Sequence, residues 1–573
     1  MEMIGLLAGG AALFGFLHYM PQKTLVVVKL ILGFLLCIIC IGQLRRFVIR
    51  QRRVSSSSSG SSHLDTMASQ PEALKPIELK LSIDKTRNQV LFAESNKAFV
   101  DVLLSFLTLP MGTIVRLADK KSGIGSMDKL YKSAEGFDEE YFWTKAGKSM
   151  LLDPRSAYGI HYNNLIVKVD ETDYTKLYTC RRTPCFNTYL GLTSLVKNSI
   201  CACGQSMDKE IILQNADEHI GKTFVNGTDR YIIRDDLKVE PASTCDTLSW
   251  IRRRGIRNST AIKEEIVNVG LEEVLHLLHR SMISKTPLTD VFVVKDRINI
   301  QGSLSVPYQY QREKSPSSRK MKVQLWYRKS TNEVIFVQAD EEFVDLLLSF
   351  LTLPSGAIIK LLKGHSSMGS MDKLYESVKK LMGLQLISTE WSEMLLNPKL
   401  ERMFGCSNQL LQIEEKTIPT DIKYNINCFC SWRNNACGHA QPILKVMNPK
   451  RPAGNATSGG GFIKGRLLLV TDNLEIKPLS PASDICKLKD IPFDDLECKH
   501  VTVAEEEALN LLQASIISKN VLNHAFRLQR LALNLLQASL ASKNVLSHFQ
   551  RQGDQQKVNA FHLKKGNFAN NPS

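Results

Sequence analysis

Apolar and polar positions alternate along LKLSIDKTRNQVLFAES, Leu79 to Ser95, on either side of a polar stretch at Lys85 to Asn88. Alternation with a period of two predicts two strands of a hairpin around that turn. From Asn96 to Thr108 the spacing becomes helical: Phe99, Val102, Leu103, Phe106 and Leu107 share one face and Pro110 ends the run. Val100 and Leu104 are apolar as well, which predicts a helix buried nearly all round. Ser126 is read as the cap of a short helix through Tyr131. Farther on, FVNGTDRYIIRDDLKVEP, Phe224 to Pro241, reads as a second hairpin, and Glu264 to Ser281 as a closing amphipathic helix. Strands and helices in this order predict an α+β fold, not a regular βαβ array.

The same pattern then occurs again. At a constant offset of 244 residues, FVDVLLSFLTLP from Phe99 pairs with FVDLLLSFLTLP from Phe343, GSMDKLY at Gly125 with GSMDKLY at Gly369, and MLLDP at Met150 with MLLNP at Met394. Later the offset drifts, but LLHRSMISK (Leu277 to Lys285) still answers LLQASIISK (Leu511 to Lys519). The chain therefore reads as two tandem homologous α+β copies, residues 77–296 and 321–526, joined by a polar linker, 297–320. A smaller duplication in 527–573 repeats ALNLLQASIISKNVLNH (Ala508 to His524) as ALNLLQASLASKNVLSH (Ala532 to His548), one helix and its exit before a polar tail. A length of 573 residues predicts three or four domains with several cores.

On the KLxID hairpin, the FVDxLLSFLTLP helix, GSMDKLY, the paired mid-copy cysteines and the closing LLxxSxxSK, the chain resembles the plant-specific family known only as domain of unknown function 674. The resemblance covers both copies. It implies kinship but no activity, cofactor or catalytic residue, and it implies a Cys-x-x-Cys near the place where this chain has wider or narrower spacings.

The amino-terminal end differs in kind. Residues 25–44 (LVVVKLILGFLLCIICIGQL) are apolar except for Lys29, and residues 4–20 are apolar and glycine-rich. About 20 helical residues cross a ~30 Å hydrocarbon core, so residues 1–53 are expected to be a membrane anchor of one or two transmembrane helices. Arg45, Arg46, Arg50, Arg52 and Arg53 follow directly, which predicts a membrane location with the repeats facing the cytosol. The tract Ser55 to Ser62 makes residues 54–76 a flexible linker, and Met67 beyond it offers a second start, which would give a soluble cytosolic chain. Sequons at Asn226, Asn258 and Asn455 could be used only with the opposite topology.

Composition adds limits. With 43% hydrophobic and 23% charged residues the chain is neither disordered nor fibrous. Lys and Arg number 73 against 57 Asp and Glu, a net +16, of which residues 1–66 hold +5. The rest is diffuse, so nucleic acid is not expected as a partner. Thirteen cysteines without dense regular spacing argue against a secreted disulfide framework and for reduced thiols.

Some of those thiols form the best candidate site. Cys180-x4-Cys185 and Cys201-x-Cys203 supply two pairs on two loops, the ligand set of a structural zinc, although a zinc knuckle usually separates its cysteines by two residues. Cys428, Cys430, Cys437 and His439 offer a rearranged second set in the other copy. Weaker signals each have a plainer explanation. Ser126-x-x-Lys129 and Ser370-x-x-Lys373 match a serine acyl-transfer pattern, but its partner motifs are missing. Ala216 to Thr223 fits only the loosest phosphate loop, with Asp217 and Glu218 opposing an anion. Trp250 among Arg252, Arg253, Arg254 and Arg257 could grip a base, but the second copy is acidic there. His276 and His279 share a helix face without a third ligand. The sequence thus predicts a membrane-tethered, non-enzymatic module that binds an unknown protein or small ligand. The alternative is a soluble enzyme of unknown reaction with a site between the repeats.

Overall fold

The computed structural model describes residues 77–182, 192–212, 223–227, 230–294, 319–406, 409–417, 445–451, 460–486, 488 and 491–526. In the first half, β1 (Ile77–Asp84) and β2 (Gln89–Ser95) form the expected hairpin. Alternation places Ile77, Leu79, Leu81 and Ile83 in the core, and Asn88 closes the turn at φ +50, a conformation asparagine tolerates. Strands β3 (Lys176–Thr179), β4 (Leu192–Ser194), β5 (Ser199–Ile200), β6 (Ser206–Met207) and β7 (Lys209–Ile212) build a separate lobe. Strands β8 (Tyr231–Arg234), β9 (Val239–Pro241) and β10 (Ile262–Val269) complete a five-stranded antiparallel sheet in the order β10-β1-β2-β8-β9.

The second half builds the same sheet from β11 (Met321–Arg328), β12 (Val334–Ala339), β14 (Leu468–Thr471), β15 (Ile476–Pro478) and β16 (Leu496–Val503), while β13 (Lys445–Val446) joins the small lobe. Its order, β16-β11-β12-β14-β15, reproduces the first strand for strand. Even the irregularity is copied: the β1–β2 register shifts between Ser82 and Ile83, and the β11–β12 register between Trp326 and Tyr327, 244 residues later.

After each hairpin comes the central helix, α1 (Lys97–Ser105), which Asn96 caps by accepting from the Ala98 amide. Every residue from Phe99 to Ser105 is buried, as the pattern predicted; the last turn, Phe106–Thr108, tightens to a 3-10 helix. Helices α2 (Met111–Leu117), α3 (Met127–Gly136), α4 (Thr244–Arg253) and the closing α5 (Leu271–Ile283) follow. In the second half α6 (Glu341–Ser349) answers α1, α7 (Ser355–Leu361) answers α2, α8 (Met371–Gly383) answers α3 and the closing α9 (Glu505–Ile517) answers α5. The closing helix begins later than expected because Ile262–Val269 is strand β10, whose alternation was masked by helix-favouring Lys and Glu; Gly270 separates the two elements.

The halves interlock about a pseudo-twofold axis. At the axis the Met111 amide donates to Leu353 O at 3.0 Å and the Ser355 amide to Leu109 O at 3.0 Å. Away from it, the Ser126 amide donates to Ser515 O and the Ser370 amide to Ser281 O, each at 2.8 Å, so each GSMDKLY segment is held by the other copy's closing helix. Ser377 Oγ accepts from Val239 N and Ser133 Oγ from Ile476 N, both at 2.9 Å. Among the described residues one large apolar cluster runs through both halves, from Ile77 to Phe526, and a small second one surrounds Cys180, Cys201, Met207 and Met447. Ser126 is reassigned by the same contacts: it makes no side-chain cap, and its hydroxyl donates to Ser518 O at 2.9 Å.

The expectation of one or two transmembrane helices, and with it the membrane location facing the cytosol, is corrected. Among the described residues no helix is long and apolar enough to cross a membrane. The longest α-helices there run 13 residues, ~20 Å against a ~30 Å core. Residues 4–20 and 25–44 lie outside the described residues.

One polar network anchors each sheet to the end of its copy. Thr289 Oγ1 accepts from the Val90 amide (2.8 Å) and donates to Asp235 (2.6 Å). In the second copy Asn523 does this work: it accepts from the Val334 amide (2.7 Å) and donates to Val334 O (3.0 Å) and Asp472 (2.8 Å). Asn523→Ala leaves the Val334 N–H and C=O without their side-chain partner and Asp472 with only backbone amides such as that of residue 523, and is expected to cost roughly 2–3 kcal/mol, read as a lower urea midpoint at unchanged slope.

Candidate metal centre

The site is built by the small lobe. Strand β3 pairs with β4 and β7 and ends at Thr179, so Cys180 stands at its exit. The β5–β6 hairpin reverses through Cys201-Ala202-Cys203-Gly204. Here the Cys201 amide donates to Gln205 O and the Gly204 amide to Cys201 O, both at 2.8 Å. Gly204 takes φ +81, where a side chain would be strained, and the turn brings both cysteines toward Cys180. The three sulfurs lie within 4.8 Å of one another, with Cys180 Sγ and Cys203 Sγ 3.6 Å apart. Tetrahedral ligands at ~2.3 Å from zinc stand ~3.8 Å apart, so the Cys180–Cys203 pair has that spacing and Cys201 lies within reach of the same ion.

Its surroundings suit a soft metal. Cys180 and Cys201 are buried, with Met207 and Met447 packed around them and Tyr178 and Leu192 beside them. Met447 comes from the second copy, delivered by β13 pairing in parallel with β4. Burial pushes the Cys180 thiol up, and its neighbours Cys203 and Cys201 push the same way, while the Arg182 amide opposes them. A bound dication reverses that balance by deprotonating the thiols. The expected fourth ligand, Cys185, lies outside the described residues, as do Cys428, Cys430, Cys437 and His439.

Other candidate groups are engaged elsewhere. Ser370 Oγ donates to Ser284 O at 2.8 Å, mirroring Ser126. His279 bonds Ser122 O through Nε2 at 2.7 Å, and burial pushes its pKa down. Gln513 does the same in the second copy, donating to His365 O at 3.0 Å, so the histidine fills a structural place. His276 and His279 line a cleft of about 300 Å³ with Glu272, Glu273, Arg280 and Asp290. The Trp250 ring already carries the guanidiniums of Arg254 at 5.0 Å and Arg234 at 5.1 Å. Of the phosphate-loop stretch, residues 216–222 lie outside the described residues.

One cavity escaped the sequence reading. It holds about 110 Å³ at the boundary of the copies and is lined by Trp143 of the first and by Glu341, Asp345, Cys406, Gln409 and Arg451 of the second. No single stretch of sequence carries it. The available signal was a local reversal of charge: Lys97-Ala98 in the first copy stands opposite Glu341-Glu342 in otherwise matching segments.

The family described as Protein of unknown function (DUF674) matches residues 74–506. No curated protein and no solved structure matches the chain.

Proposed function

The chain belongs to that family across most of its length, and on this premise we propose that it is a non-enzymatic binding or interaction protein made of two tandem copies of a plant-specific domain, with a structural zinc in the lobe of the first. The observation that carries this reading is the thiol triangle of Cys180, Cys201 and Cys203, within 4.8 Å and largely buried. A fourth thiolate, for which the sequence offers Cys185, would close the coordination sphere, and a closed sphere holds structure without presenting an open position to substrate.

The reading also accounts for the serines and histidine that resembled catalytic groups, since Ser126, Ser370 and His279 spend their hydrogen bonds on backbone carbonyls. An enzyme with a site between the repeats is the other reading. The thiol at that boundary, Cys406, is pushed up to about 12 by burial, so at neutral pH it is protonated and a poor nucleophile.

Metal analysis of the full chain, purified without chelator, is expected to find about one zinc per chain, falling below about half an equivalent in Cys201→Ser. Less than half an equivalent in the unsubstituted protein contradicts the zinc. A substrate consumed catalytically by the purified chain contradicts the non-enzymatic role.

A further inference from the structure

The boundary cavity has the features of a built site. Gln409 is only 8% exposed, and its Nε2 meets only the Cys406 thiol, a weak acceptor, an arrangement that costs about 1–3 kcal/mol unless a stronger acceptor is supplied. Asp345 is equally enclosed. Its Oδ1 accepts from the amides of Phe462 at 2.9 Å and Ile463 at 3.1 Å. Its Oδ2 lies against Gly461, where a Cβ would come within 1.7 Å. Arg451 lays its guanidinium 4.6 Å from the Trp143 ring, which orients the planar group at the cavity wall.

The first copy makes the same framework and keeps it shut to such chemistry. Asp101 accepts from the Val225 amide at 2.9 Å just as Asp345 does from Ile463. But Lys97, Ala98 and Ile387 stand where the second copy's site has Glu341, Glu342 and Trp143, and Thr223 stands in the place of Gly461. A latch common to both copies has thus been opened and made acidic in one of them. Glu341 and Glu342 ask for an ammonium group; Gln409 and Arg451 ask for an acceptor that carries negative charge. At ~30 Å³ per water-sized unit the cavity takes three or four such units, the size of glycine, alanine or serine.

We propose that this cavity binds a small α-amino acid, its ammonium group toward Glu341 and Glu342 and its carboxylate toward Arg451 and Gln409. The proposal deepens the binding role given above and rests on it. The test is calorimetric titration of the full chain with glycine, L-alanine and L-serine, against ethylamine and L-lactate, which each lack one of the two charged groups. At least one amino acid is expected to bind one per chain with a Kd of about 1 mM or tighter, and both controls at least about tenfold more weakly. Gln409→Leu, which removes the amide without opening a gap and so keeps the protein folded, is expected to weaken binding at least about tenfold, and Arg451→Met likewise. No binding at roughly ten times that concentration, binding of either control as tight as the amino acid, or unchanged binding in both variants overturns the site. Recovery of the amino acid unaltered separates the two readings: its conversion to product would uphold the site and overturn the non-enzymatic role.

Discussion

Gly369→Ala and Gly125→Ala are each expected to destabilise the protein by about 3–5 kcal/mol, far more than loss of a methyl-sized contact. Gly369 sits at φ +39 and a Cβ there would lie 2.4 Å from Ser281 O; Gly125 sits at φ +43 with Ser515 O at 2.3 Å. The strained backbone accounts for about 1–3 kcal/mol, and the clash with the opposite copy's closing helix for a similar amount. That helix is fixed by its buried face, which includes Leu277 and Leu278 in α5 and Leu511 and Leu512 in α9, so the carbonyl cannot simply retreat. Gly364 is the control. It has φ +80 but nothing within 4 Å of an added Cβ, so Gly364→Ala should show the backbone part alone. Urea denaturation of the three variants checks this; equal losses at Gly364 and Gly369 would mean that the copies do not press on each other there.

The second large effect is a dependence on pH. Burial raises the carboxyl of Asp101 to about 7, against opposing bonds from the Val225 amide and the Thr223 hydroxyl, and burial likewise raises Asp345 to about 7. Both lie well above the ordinary 3.8, so between pH ~4 and ~7 the native state keeps protons that the unfolded chain releases. Stability is then highest below about pH 4 with respect to these groups and falls as pH rises through 7, by ~1.4 kcal/mol per pH unit per group. Asp235, raised to about 6, acts in the same direction over a narrower window. Asp101→Asn removes the charge and keeps an oxygen to accept from Val225. It is expected to be roughly 3–4 kcal/mol more stable than the parent at pH 8, with the difference vanishing near pH 4. Denaturant midpoints measured at both values test this, and a variant less stable at pH 8 would show that the charged carboxylate is favourably held.

How legible this was in the sequence varied with the length scale of the cause. The first hairpin, the helix after Asn96 and the late hairpin at Tyr231 were plain, because alternation, helical spacing and turn residues act within a few positions. The 244-residue offset was plain as well, and with it the matched sheets. Strand β10 was misread because its partner, β1, lies some 180 residues earlier and its Glu-rich sequence favours helix in isolation. The exchange of closing helices left no local trace: Ser126 looked like a cap, and only the opposite copy gives its hydroxyl an acceptor.

At the metal centre the cysteine pairs were visible. Their convergence depended on a turn at Gly204 and on a sheet completed by residues 445–446, neither of which spacing reveals. The apolar runs near the amino terminus were read by length and hydropathy alone, and no helix among the described residues meets that measure. The boundary cavity shows the same limit, since Trp143 and Arg451 meet only after both copies have folded.

All of this rests on two matched halves folded as one body around one main core. Native-state hydrogen exchange in increasing denaturant tests that most directly, by comparing amides of Phe99 to Leu107 with those of Phe343 to Leu351. The two central helices are predicted to open with the same free energy and the same denaturant slope, because neither copy can unfold without exposing the other's buried face. If one helix exchanges through an opening that leaves the other protected, the copies are independent domains and the account is wrong.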